Sequence, residues 1–174
     1  LEADVEELPF ADASFDVVLS TFGAMFTPDH ARPAREMLRV VRSGGRIGLA
    51  NWTPDGFIGQ LFKTLGRHLP PPAGVKPPSL WGVKSHLETL FGDEASAIAA
   101  TPKVFNFRYR SAEHFVEVFR TWYGPVHKAF GALPETGQAA LSQDLLALIP
   151  RFNRATDGTM VVPSDYVEVI VTKA

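Results

Sequence analysis

Phe15-Asp16-Val17-Val18-Leu19-Ser20, then a stretch through Ala34, Met37, Leu38 and Val41, then Arg46-Ile47-Gly48-Leu49-Ala50-Asn51: this succession decides the fold. The first six residues are a short, nearly continuous apolar run with β-branched members. Such a run predicts a strand buried on both faces, the kind found in parallel sheets. Ala34, Met37, Leu38 and Val41 fall at i, i+3, i+4 and i+7, with Arg32, Arg35, Arg39 and Arg42 on the other side. That spacing predicts an amphipathic helix whose cations gather toward its C-terminus, where the helix dipole favours them. Thr27-Pro28-Asp29 supplies start chemistry, and Gly44-Gly45 is expected to cap and stop the helix. Arg46 to Asn51 reads as a second buried strand. Strand, helix and strand make a βαβ unit, which is right-handed in nearly all folds.

Outward from this unit the pattern is looser. Glu2 to Phe10 alternates acidic with small or apolar residues and ends in Leu8-Pro9-Phe10, which predicts an extended edge entering a turn. Phe57 to Leu69 has helical periodicity. Pro70, Pro71, Pro72, Pro77 and Pro78 then predict a stiff surface connection. Gly82 to Phe91 reads as a short helix, and Lys103 to Arg110 as a strand. Ser111 can cap a helix carrying Phe115, Val118, Phe119 and Trp122, which Gly124-Pro125 should kink or end. Leu141, Leu145, Leu148, Ile149 and Phe152 mark another helix. Met160 to Val162, a turn at Pro163-Ser164-Asp165 and a strand from Tyr166 to Thr172 follow.

The 174 residues fit one domain with one sizeable core. Lys+Arg 17 against Asp+Glu 19 gives net charge −2, which supplies no electrostatic footprint for nucleic acid. Cys is 0, so disulfides, thiolate metal sites and cysteine nucleophiles are excluded. That count fits a reducing compartment, and a cytoplasmic location is the expectation. No apolar run approaches the roughly 18 residues of a membrane span, and the acidic first residues do not resemble a secretory signal. His30, His68, His86, His114 and His127 show no metal-ligand spacing, so no metal is expected. There is no nucleophile elbow and no phosphate-cradling glycine loop.

Two groups of residues carry a resemblance. The first is Asp4-Val5-Glu6-Glu7-Leu8-Pro9-Phe10 followed by Ser14-Phe15-Asp16-Val17-Val18-Leu19-Ser20. The second is Glu36-Met37-Leu38-Arg39-Val40 followed by Arg42-Ser43-Gly44-Gly45-Arg46-Ile47. In this order and spacing the first fifty or so residues resemble the class I S-adenosylmethionine-dependent methyltransferases, nearest the ubiquinone/menaquinone C-methyltransferase group. Ser43 stands where that family usually has proline. The family's glycine-rich loop and the acidic residue ending its second strand have no counterpart here.

The resemblance implies an α/β, Rossmann-like sheet, of which this chain would hold the C-terminal half, strands 4-5-7-6, with added helical lid segments. It implies one partial domain over 1–174: cofactor-side motifs in 1–52, a helical acceptor lid in 53–155 and closing strands in 156–174. S-adenosylmethionine is the implied cofactor. Asp4 would accept from the adenine amino group, the amide of Val5 would meet a ring nitrogen, and Ser20, Thr21 and Phe22 would touch the cofactor at the strand end. Met25, Phe26, Asn51 and Trp52 are the candidates for the acceptor side. Trp52, Phe57, Phe62, Trp81, Phe119, Trp122 and Tyr123 would supply aromatic walls, although Phe119 and Trp122 are also core positions by period. No catalytic base is assigned; His30 and Tyr123 are the titratable candidates.

The strand Phe15–Ser20 would lie at an open edge. A longer parent chain or homodimer pairing along that edge would cover it. The expected function is methyl transfer to a small organic acceptor. A non-catalytic ligand-binding or interaction module on a degenerate methyltransferase fold is the alternative, and a nucleotide-dependent oxidoreductase a weaker third.

Overall fold

The computed structural model describes residues 1–174. Its elements are β1 (Phe15–Thr21), α1 (Ala31–Val40), β2 (Val41–Trp52), α2 (Phe57–His68), α3 (Lys84–Phe91), β3 (Ala95–Tyr109), α4 (Ala112–Trp122), α5 (Gly124–Ala132), α6 (Glu135–Leu148) and β4 (Met160–Lys173). One sheet has the order β1-β2-β4-β3. In chain order that is first, second, fourth and third strand, the 4-5-7-6 arrangement that the resemblance implies. No helix is long and apolar enough to cross a membrane.

The chain divides into two compact units. The first holds Leu1–Pro54, Gly74–Lys103 and Tyr166–Ala174; the second holds Asp55–Ala73 and Val104–Asp165.

In the first unit β1 and β2 run parallel, Val17 opposite Arg46 through Thr21 opposite Ala50, with α1 as the crossover. Ala34, Met37 and Leu38 of α1 are buried, as the period requires; Val40 is buried too, and Val41, the fourth residue of the period, is buried at the start of β2. β2 continues into an antiparallel pair with β4, from Arg46 opposite Thr172 to Trp52 opposite Tyr166.

The helix ends before its expected glycine stop. Val41 is already extended, and β2 starts there. The Lys173 ammonium does the capping, donating to the carbonyls of Leu38 (2.8 Å) and Val41 (3.1 Å). Gly44-Gly45 instead lies within the irregular start of β2. Phe15 faces Val41 and Val17 faces Arg46, so five steps of β2 match two of β1. Gly44 takes φ +70°, open to glycine at little cost. A Cβ on Gly45 would sit 2.8 Å from the Arg42 carbonyl and 2.9 Å from that of Asp16.

β1 is not buried on both faces as its composition predicts. It is the end strand of the sheet, and Val17 and Leu19 are 53% and 73% exposed. Composition reports what a strand tolerates, not whether a neighbour is present.

The second unit has an aromatic core. Phe57 lies 5.5 Å from Phe115 and 5.6 Å from Phe152, and Phe115 lies 3.9 Å from Phe119 between ring centroids. Ser111 caps α4 by accepting the His114 amide hydrogen. Gly124-Pro125 ends α4 and begins α5, because proline is well placed in a first helical turn. Leu141, Leu145 and Leu148 bury the inner face of α6. β4 runs unbroken through Pro163-Ser164-Asp165, so the expected turn there is absent. The buried Ser164 hydroxyl accepts the Ile58 amide at the start of α2. That bond gives the segment a reason to stay extended.

Gly45→Ala is expected to destabilise the protein by about 1–3 kcal/mol in a denaturant titration, through backbone displacement. Leu19→Lys is expected to leave the midpoint of the same titration unchanged, because Leu19 is 73% exposed.

Candidate functional site

The parallel strands β1 and β2 end side by side at Thr21 and Ala50. In open α/β sheets ligands bind outside such carboxyl ends. Phe22 follows at once, and its amide donates to the Ala50 carbonyl (2.8 Å). Phe22 has φ +54°, a left-handed conformation that costs a bulky residue about 1–3 kcal/mol. The turn throws its ring onto Trp52, with centroids 4.1 Å apart and planes 17° from parallel. Tyr166 of β4 meets Phe22 edge-on at 5.5 Å and Trp52 at 6.0 Å. Three rings, two from the ends of β1 and β2 and one from within β4, therefore form one cluster. Tyr166 was not singled out from the sequence, because a turn was expected beside it; its pairing with Trp52 depends on the β2–β4 register.

Ser20 fixes the turn that follows. Its hydroxyl oxygen accepts the Ala24 amide (3.0 Å), and the Thr27 hydroxyl donates to the Ala24 carbonyl (2.9 Å). Thr21 is exposed, Met25 is fully buried and Phe26 is partly exposed. Met25 is thus packed inside, while Phe26 still offers a ring to solvent. Asn51 is 1% exposed and its side-chain nitrogen has no hydrogen-bond partner. A buried unpaired donor is costly and asks for an acceptor.

A second feature lies along β1. Val5, Leu8, Phe10, Val18, Ser20 and Met37 line an open apolar groove of about 260 Å³. Val5 and Ser20 of the expected cofactor residues share it. Asp4 is exposed, and its carboxylate accepts the Glu6 amide (2.9 Å) in a local turn. Arg39 ties this segment to α1. Its guanidinium donates to the Glu36 and Asp12 carboxylates and to the Leu8 and Phe10 carbonyls, all within 2.9 Å. Glu36 in turn accepts the Leu8 amide at 2.7 Å. The hydrogen bond from Arg39 holds the Glu36 carboxyl below its ordinary range.

Sequence spacing also missed a histidine pair. His30 Nδ1 lies 2.9 Å from His86 Nε2, across 56 residues of chain. No periodicity connects positions so far apart. His30 is 2% exposed, and its Nε2 has no partner. Burial lowers its pKa to about 4, helped by His86 and Lys76 and opposed by Asp29. Burial and then Lys76 also lower His86. Of the other aromatic candidates, Phe57 and Phe119 belong to the core of the second unit, and Trp122 is 81% exposed.

Comparisons with known proteins show the fold. A family model for the methyltransferase domain matches residues 1–49. An uncharacterised protein of Mycobacterium tuberculosis is 34% identical over 163 residues, covering 91% of this chain and 59% of its own length. The demethylmenaquinone methyltransferase of Deinococcus radiodurans is 30% identical over 127 residues, covering 71% of this chain and 53% of its own. Among solved structures, a candidate methyltransferase of Bacillus halodurans superposes with TM-score 0.58 at 16% identity, over 99% of this chain and 70% of that one. An S-adenosylmethionine-dependent methyltransferase of Thermotoga maritima gives 0.52 at 14% identity, over 100% and 63%. The chain spans little more than half the length of the curated relatives it matches.

Because the folded state disfavours a proton on His30, the unfolded chain binds more protons between about pH 4 and the ordinary histidine value of 6.5. Stability is therefore complete above pH 6.5 and falls as pH drops through that window. His30→Asn is expected to flatten that part of a stability–pH profile measured by urea unfolding.

Proposed function

We propose, because this chain has the class I S-adenosylmethionine-dependent methyltransferase fold, that it serves methyl transfer from S-adenosylmethionine to a small organic acceptor. The observation that carries the reading is the Phe22–Trp52–Tyr166 cluster at the strand ends, held there by a strained Phe22 backbone. A strained residue persists only where its surroundings enforce it, and such strain gathers at functional sites.

The residues fit the group. The apolar groove with Val5 and Ser20 suits an adenine face, and Asp4 stands next to Val5 with an acceptor-only carboxylate for an exocyclic amine. Aromatic faces attract a sulfonium through their quadrupole. The unpaired Asn51 amide offers a hydrogen bond to an oxygen on the ligand. Bound there, S-adenosylmethionine supplies an electrophilic methyl on a charged sulfur. The chain's own work is positioning and exclusion of water, which suffices for much of an in-line displacement.

The open side of β1 belongs to the same reading. Val17, Leu19 and the groove beside them are a place for a further strand and its covering layer. A second copy of the chain paired along that edge is the other way to cover it. The Deinococcus relative, by its name, methylates a demethylmenaquinone, which makes an aromatic acceptor the first to try.

The test is calorimetric titration with S-adenosylhomocysteine. Binding at micromolar affinity is expected, and Phe22→Ala should weaken it about tenfold, the value of one or two lost aromatic contacts. Absence of binding in this chain and in every longer natural form of it would leave the non-catalytic module as the reading.

A further inference from the structure

We propose that His30 and His86 form a proton relay, which takes the proton shed by the methyl acceptor and passes it to solvent. The proposal rests on the methyl-transfer reading and adds to it the group that reading lacks, an acceptor for the proton.

Place comes first. His30 follows the turn after β1, on the carboxyl side of the parallel strands. Its ring lies 5.7 Å from that of Trp81. Trp81 precedes Gly82, whose added Cβ would come within 2.4 Å of the Trp52 carbonyl oxygen. The chain just after Trp81 therefore lies against the backbone of Trp52, and His30 lies beside Trp81. The indole nitrogen of Trp81, like His30 Nε2, is buried without a hydrogen-bond partner. Together with Asn51, three buried polar side chains of this unit keep an unused hydrogen-bonding atom. Native proteins leave few such atoms, and each asks for a partner.

Chemistry comes second. A neutral imidazole has one donor and one acceptor nitrogen. When His30 Nδ1–H donates to His86 Nε2, the lone pair of His30 lies at Nε2, the buried end. A proton taken there is balanced by loss of the Nδ1 proton to His86 Nε2. His86 then releases its own Nδ1 proton, and it is half-buried where His30 is closed off. In one transfer the pair thus connects an interior atom to water; both rings end with the proton on Nε2, and exchange with water must restore the Nδ1 tautomers before the next turnover.

The balance of the whole step is simple. The acceptor's electron pair forms the bond to the methyl carbon. The carbon–sulfur pair returns to sulfur, which becomes neutral. The proton left on the acceptor departs through Nε2. His30 is a weak base, held neutral by burial, by His86 and by Lys76 against the opposing field of Asp29. A weak base is adequate, because an acceptor gains acidity as the methyl adds. What it must be is unprotonated at working pH, and it is.

The test uses protein with ¹⁵N-labelled histidine, in this chain and in any longer natural form. The probes are S-adenosylhomocysteine and sinefungin, an analogue carrying an amine where the transferring methyl sits. The expected result is that free His30 carries its proton on Nδ1. Sinefungin, with its positive charge at the place of the methyl, should shift the His30 Nε2 resonance, while S-adenosylhomocysteine, whose sulfur is neutral, should leave it in place. In His86→Gln, sinefungin affinity should hold while the His30 ring proton exchanges more slowly with water. Sinefungin bound with His30 unmoved, or exchange unchanged in His86→Gln, overturns the relay and leaves the methyl-transfer reading standing. Failure of both ligands to bind in every form overturns that reading, and the relay's role with it.

Discussion

A single guanidinium holds the first part of this chain in place. Arg39 sits on the last turn of α1 and gathers Glu36, Asp12 and two backbone carbonyls of the entering segment. The segment from Leu8 to Asp12 has no strand partner and little buried area of its own. The planar fork, which a lysine could not copy, joins the Glu36–Leu8 bond and the Phe10–Phe15 ring contact in holding this segment along the groove beside β1. Surface ion pairs usually contribute little. This one differs because most of its acceptors lie on a segment that must be positioned, so its effect is geometric more than energetic.

From that anchor the site is a matter of strand ends. β1 and β2 deliver Phe22 and Trp52 to the same level because their register is fixed from Val17 onward. β4 delivers Tyr166 because it pairs with β2 down to Trp52. The strained backbone at Phe22 and its stack on Trp52 are two aspects of one arrangement. The turn costs conformational energy, and the ring contact offsets part of it.

Much of the fold was legible in the sequence. Apolar period placed β1, α1 and β2, and the motifs of the first fifty residues implied the strand order that the sheet adopts. Legibility failed where a distant residue decides a local outcome. Gly44-Gly45 looked like a helix stop, but Lys173, from the far end of the chain, caps the helix earlier. Pro163-Ser164-Asp165 looked like a turn, but Ser164 is bonded into the start of α2. Val17 and Leu19 looked like core, and both are exposed on β1. At the site, Phe22 and Trp52 were readable from their places after strands. Tyr166 and the His30–His86 contact were not, because each depends on pairing across the fold.

The long reach of Lys173 also sets an order of events in time. It bonds carbonyls 135 and 132 positions earlier in the chain. The last strand, moreover, lies between the second and the third, so the sheet cannot grow in the order in which it is synthesised. Local helices can form at once, but β2 gains its second neighbour only after β3 and the whole second unit have emerged. Chains with such non-local pairing fold slowly, since loop closure is costly before any contact rewards it. Until β4 has formed, α1 lacks its Lys173 cap and β2 lacks its second neighbour.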